Sequence, residues 1–110
     1  MSPVIDAGRL DQRLDHERPV ETLDENGLMQ VIWQPLGRLW AAVKVQGGQA
    51  AREAERPTAR LSYALTLRSE SDCIEGDRLH WKGRILDVVA VLPDGSDPRF
   101  IELLCSETRP

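Results

Sequence analysis

Turn signals constrain this chain more than any other feature. Asn26-Gly27, Pro35-Leu36-Gly37, Gly47-Gly48, Pro57, Glu75-Gly76-Asp77, Lys82-Gly83 and Pro93-Asp94-Gly95 interrupt it at short intervals. Glycine and proline at such spacing leave little room for helices long enough to bury a face. The segments between them are short and rich in apolar, branched and aromatic residues. That pattern predicts an all-β protein, a sandwich or barrel of about six or seven short antiparallel strands.

The strands can be placed by period. In Arg60 to Arg68, Leu61, Tyr63, Leu65 and Leu67 share one face, and Ser62, Ala64, Thr66 and Arg68 the other. Strict alternation means one buried and one wet face. Arg38 to Val45 alternates as well, but puts Trp40 on the face of Arg38 and Lys44, so Trp40 is expected at a sheet edge or subunit contact. Ile85 to Leu92 is nearly all apolar, which predicts cover on both faces, the second cover being a partner subunit. Arg99 to Ser106 aligns Ile101, Leu103 and Cys105. Leu28 to Trp33 pairs backward across Asn26-Gly27 with Gln12 to Val20, and Arg78 to Trp81 turns at Lys82-Gly83.

One stretch does not fit. Gln46 to Thr58 opens with Gly47-Gly48, closes at Pro57 and has no aromatic residue. Its middle has helix formers but is too short for a lone helix. It is expected to be one long flexible loop, and long loops inside small domains carry function or are disordered. Gln46, Gly47, Gly48, Gln49, Arg52, Glu53, Glu55 and Arg56 are the candidate ring- or partner-contact residues. A second candidate contact is an N-terminal arm, residues 1–10, through Val4, Ile5 and Leu10.

At 110 residues the chain is one domain by default. A compact chain of this size exposes roughly 6,100 Å² against about 18,000 Å² unfolded, enough burial for a core without staples. Fourteen Lys and Arg against eighteen Asp and Glu give a net charge of −4, which argues against a large phosphate-gripping surface. Cys73 and Cys105 form no metal-type spacing. Residues 1–10 lack the apolar run of a signal peptide, and no run of eighteen apolar residues occurs, so the expectation is a chain made in the cytoplasm and not inserted in a membrane.

No catalytic pattern emerges. The serines lack nucleophile-elbow glycines, and no phosphate-binding glycine loop is present. Asp72, Glu75 and Asp77 read as an acidic turn rather than a cation loop. Arg9, Arg13 and Arg18 interleave with Asp11, Asp15 and Glu17 as a mixed solvated face. His80 is expected in solvent or at an interface, and Cys105 as a small buried hydrophobe. Trp33, Trp40 and Trp81 could form a base-stacking platform, but few cations surround them, so packing is the expected role.

Taken in order, these signatures resemble the small head–tail joining proteins of long-tailed bacteriophages and gene transfer agents, also called head-closure or stopper proteins. The resemblance runs through Gly8-Arg9-Leu10 with Arg13 and Leu14, Arg18-Pro19-Val20, Asp24 to Gly27, Trp33-Gln34-Pro35 and Leu39-Trp40-Ala41-Ala42-Val43. It continues through Tyr63-Ala64-Leu65-Thr66-Leu67-Arg68, Gly76 to Arg84, Leu86-Asp87-Val88 and Glu102 to Glu107. Ile85 stands where the pattern often has an aromatic hydroxyl. The resemblance implies a small β-barrel with one long loop, assembled as a hexameric ring between the portal–adaptor complex and the tail of a virion or phage-like particle. Its implied partners are other copies of itself, the adaptor, a tail terminator or tail-tube protein, and double-stranded DNA that passes without sequence-specific binding. It implies no enzyme, no cofactor and no metal. Trp33, Trp40, Tyr63, Trp81 and Leu103 are the core or family-motif residues. A tail-side terminator ring and an OB-like nucleic-acid-binding module are the alternatives.

Overall fold

The computed structural model describes residues 10–53 and 56–109. Six strands account for nearly all of the regular structure: β1 (Gln12–Leu23), β2 (Met29–Glu53), β3 (Arg56–Arg68), β4 (Arg78–Trp81), β5 (Arg84–Pro93) and β6 (Phe100–Arg109). All pairings are antiparallel. The hydrogen-bonded order is β1-β2-β3-β6-β5-β4, and β4 pairs back to β1, a closed barrel in its pairing.

The core follows from the alternation. Tyr63, Leu65 and Leu67 of β3 meet Leu103 and Cys105 of β6, Leu86 and Val88 of β5, Leu79 of β4, Leu14 of β1 and Ala41 of β2. Each fully buried leucine stabilises the fold by about 2 kcal/mol. Leu39, Val43, Leu61, Trp81, Val91 and Ile101 pack against this cluster from its margin. The odd and even faces expected of β3 and of residues 38–45 are therefore the observed ones, except at Val45, which stands 59% exposed beside the bulge before Gly47.

Two expectations are corrected. The strands are not all short, because β2 has 25 residues and β3 has 13. And residues 46–58 are not a flexible loop. Residues 46–53 belong to β2 and 56–58 to β3, and their backbones are paired from Gly47↔Ser62 to Glu53↔Arg56. The Gly- and Ala-rich composition disfavours a strand locally, but the extended ladder supplies backbone partners that local propensity does not count. Glu55 lies outside the described residues, as do Val4 and Ile5 of the arm. Leu10 is described, and at 8% exposure it is buried within its own chain rather than presented as a docking residue.

β2 changes neighbours midway. Residues 29–41 pair with β1, and residues 42–53 pair with β3. Two hairpins result, and both reach past the closed part of the sheet. β4 borders β1 only at Asp15–Glu17, so residues 18–35 form a two-stranded ribbon beyond it. A bulge between His16 and Glu17 re-aims this ribbon, and Gly37 opposite it takes a φ of 118° that side chains rarely adopt.

Candidate functional site

Three polar clusters tie the strands together. The deepest forms where β1 passes the turn before β4. Asp77, 1% exposed, takes a two-pronged contact from Arg18, with Nε at 3.0 Å to Oδ1 and an Nη at 3.0 Å to Oδ2. His16 Nε2 lies 2.6 Å from Oδ2, and the Ile74 N–H donates to the same oxygen at 3.1 Å. Arg18 also donates to the Asp72 carbonyl at 3.2 Å. Burial pushes the Asp77 carboxyl up, but Arg18, His16 and the Ile74 N–H outweigh it and hold the group below its ordinary value. Asp77 and Arg18 are thus parts of one packed joint, not an acidic turn and a solvated face.

Cys73 adjoins this joint, and His16, Cys73 and Asp77 place one donor atom each within 4.8 Å of one another. These residue types could ligate a metal. The donors do not fit that role, because the Asp77 carboxylate is already shared by a guanidinium, an imidazole and a backbone N–H. Burial pushes the Cys73 thiol up to about 12, so it stays protonated. Cys105 is pushed up to about 12 by the same cause and sits in the core as expected.

The second cluster lies on the outer face of the sheet. Arg78 Nε donates to Glu17 at 2.9 Å, and His80 Nε2 lies 2.5 Å from the same oxygen. The Arg78 guanidinium also stacks on Trp33 at 3.8 Å from the ring centroid. His80 is therefore a part-buried cross-strand partner. The third cluster closes one end of the core. Tyr63 donates to Glu107 at 2.8 Å and accepts from Arg84 at 3.1 Å. Trp81 meets the Tyr63 ring edge-on at 5.8 Å and donates through Nε1 to Gln12 at 3.0 Å. Among the described residues no buried side-chain polar atom lacks a partner. These groups hold the walls in place, and sequence reasoning missed them because their side-chain partners lie 21 to 69 residues apart.

The tryptophans have three different surroundings. Trp81 and Tyr63 pack with the core, Trp33 lies under Arg78, and Trp40 stands 54% exposed on the outer face. Leu103 is in the core as expected. The remaining unusual feature is outward apolar surface. Leu23, Leu28, Met29, Val31 and Ile32 line the β1–β2 ribbon at 51–68% exposure. Ile85, Val89 and Leu92 expose the outer face of β5, so one face of that strand has no cover among the described residues. At the base of the ribbon, Arg13, Asp15, Arg38, His80, Trp81 and Lys82 line a hollow of about 400 Å³.

A closed antiparallel sheet whose buried polar groups are paired and whose outer face carries apolar patches defines a small all-β protein. The chain belongs to the phage head completion protein family, whose model matches residues 5–108. The comparison with curated proteins gave no match. Among solved structures, a chain of the virion of a native gene transfer agent particle aligns with a TM-score of 0.74 at 19% identity, over 89% of this chain and 94% of that one. A protein from Shigella flexneri 2a, solved in solution, aligns at 0.63 with 24% identity, over 94% and 96%. The protein xkdH of the phage-like element PBSX from Bacillus subtilis aligns at 0.59 with 12% identity, over 87% and 92%. The last three are likenesses of fold.

Proposed function

We propose that this protein is a head-closure ring component of a tailed phage or gene transfer agent. Its copies, six to a ring, sit between the portal–adaptor complex and the tail, close the filled head, dock the tail and let double-stranded DNA pass on delivery. The observation that carries this reading is family membership over residues 5–108. The outward apolar ribbon and the uncovered face of β5 support it, because a chain with so much apolar surface facing out gains by assembly. The role is structural rather than enzymatic. The chain is made in the bacterial cytoplasm and ends in the particle neck. The β2–β3 hairpin, with Gln46, Gly47, Gly48, Gln49, Arg52, Glu53, Glu55 and Arg56, contacts the adaptor or a neighbouring copy. The N-terminal arm orders on a neighbour.

Replacing residues 49–55 with a short Gly/Ser linker tests the reading. The expected outcome is a folded chain whose particles form filled but tailless, DNA-leaking heads. Normal yields of DNA-delivering particles would show the hairpin to be dispensable. Copurification distinguishes the two sides of the joint: an adaptor partner supports head closure, whereas tail-tube protein alone would assign the chain to the tail side.

A further inference from the structure

The β1–β2 ribbon has two chemically opposite ends. Residues 19–37 contain Glu21, Asp24 and Glu25 and no Lys, Arg or His. The tip is exposed and combines these carboxylates with Leu23, Leu28 and Met29. Its shape is fixed: Asp24 Oδ1 accepts from the Asn26 and Leu28 N–H groups at 2.8 Å each, and Gly27 takes a φ of 77°. Asp24 is therefore occupied by the turn, while Glu21 and Glu25 are exposed.

The base carries the converse set. Arg13 pairs in register with the exposed Trp40, and Asp15 with Arg38. Lys82, left-handed at φ 49°, projects from the β4–β5 turn onto the same hollow and lies 5.3 Å from the Trp81 ring. Asp15 faces the hollow too and spans 3.5 Å to Arg38, both ends being more than half exposed. His80 at its rim is taken by Glu17. Among the described residues Arg13 and Lys82 have no carboxylate partner. An exposed tryptophan between arginines is the composition of an interface anchor.

About ten residues of strand separate Arg13 from the tip, so the two ends lie about 30 Å apart on one rigid ribbon and cannot meet within a chain. Two complementary but different patches make a head-to-tail contact, which generates rings when the rotation closes. We infer that the acidic, apolar tip at Glu21–Met29 of one copy docks on the hollow lined by Arg13, Arg38 and Lys82 of the next copy, and on Trp40 beside it. The occupant is a second copy of this chain, because the complementary charge and apolar set is carried by the chain itself. This inference rests on the ring reading above and names its contact.

The test is carbodiimide cross-linking of purified particles carrying the native chain, which joins carboxylates to amines at zero length. A peptide linking Glu21 or Glu25 to Lys82 is expected, and only between copies, given the separation within one. In parallel, Glu21→Lys with Glu25→Lys should cut incorporation into necks by about tenfold, and Arg13→Glu with Lys82→Glu in the same chain should restore it. Several copies per neck without this link and without rescue would overturn the contact and leave the ring intact. One copy per neck would overturn the ring as well. Salt-dependent binding of a short DNA duplex by the chain, lost on Arg13→Glu with Lys82→Glu, would give the hollow to DNA and overturn the inference.

Discussion

Asp77 shows how much one residue can hold. It joins β1 to the turn before β4 and is nearly inaccessible, with Arg18 and His16 as partners. Removing one member of a buried charged pair leaves the other uncompensated. Asp77→Ala should therefore cost about 3 kcal/mol, seen as a shift of denaturation midpoint at pH 7. The same contact predicts a pH response. The folded-state pKa of Asp77 lies below its unfolded value near 4, so its contribution is full above about pH 4 and falls as pH drops through the folded value. The deficit of Asp77→Ala relative to the parent should shrink between pH 5 and pH 2.5. An equal deficit at both ends would remove the charge from the explanation. The acidic turn was visible in the sequence, but its burial was not. What makes Asp77 an interior residue is a guanidinium 59 positions earlier, and no local pattern encodes that.

At the scale of the element, the legible strands were those whose two faces differ. Residues 60–68 alternate without a break, and the structure buries Tyr63, Leu65 and Leu67. Residues 46–58 were illegible because both faces carry small or charged residues, and such a stretch looks the same in a loop as in an outlying ladder. The β1–β2 ribbon lies between these cases. Asn26-Gly27 announced its turn, while its independence from the rest of the sheet follows only from where β4 stops. Gly27 holds a left-handed φ of 77° with open space around it, so the demand is conformational rather than steric. Gly27→Val should cost about 1–2 kcal/mol and loosen the tip, read as faster amide exchange at Asn26 and Leu28 with the core unchanged. Unchanged exchange there would show that the turn tolerates the side chain.

The whole molecule is more open than its length requires. Its accessible surface is 7718 Å², about a quarter above the roughly 6,100 Å² of a compact monomer this size. Two outreaching hairpins extend the closed sheet, and their reach is the quantity that the sequence could not supply. Composition set the available core, but not how far β2 runs past it. Closure also has a kinetic consequence. The β1–β4 ladder joins residues more than 60 positions apart, as in Asp15↔His80 and Glu17↔Arg78. Pairing of this kind folds slowly, so refolding followed by tryptophan fluorescence should take milliseconds to seconds. Completion within microseconds would mean that the ring of strands does not have to close before the core forms.

β2 is also a single backbone shared by both hairpins, crossing the barrel wall without a break from Met29 to Glu53. A pull on one tip is carried along covalent bonds to the other and loads the flanking ladders in shear, where many hydrogen bonds resist at once. Such a strand is a tie-rod, and a load met at one end of the chain reaches the other without passing through its core.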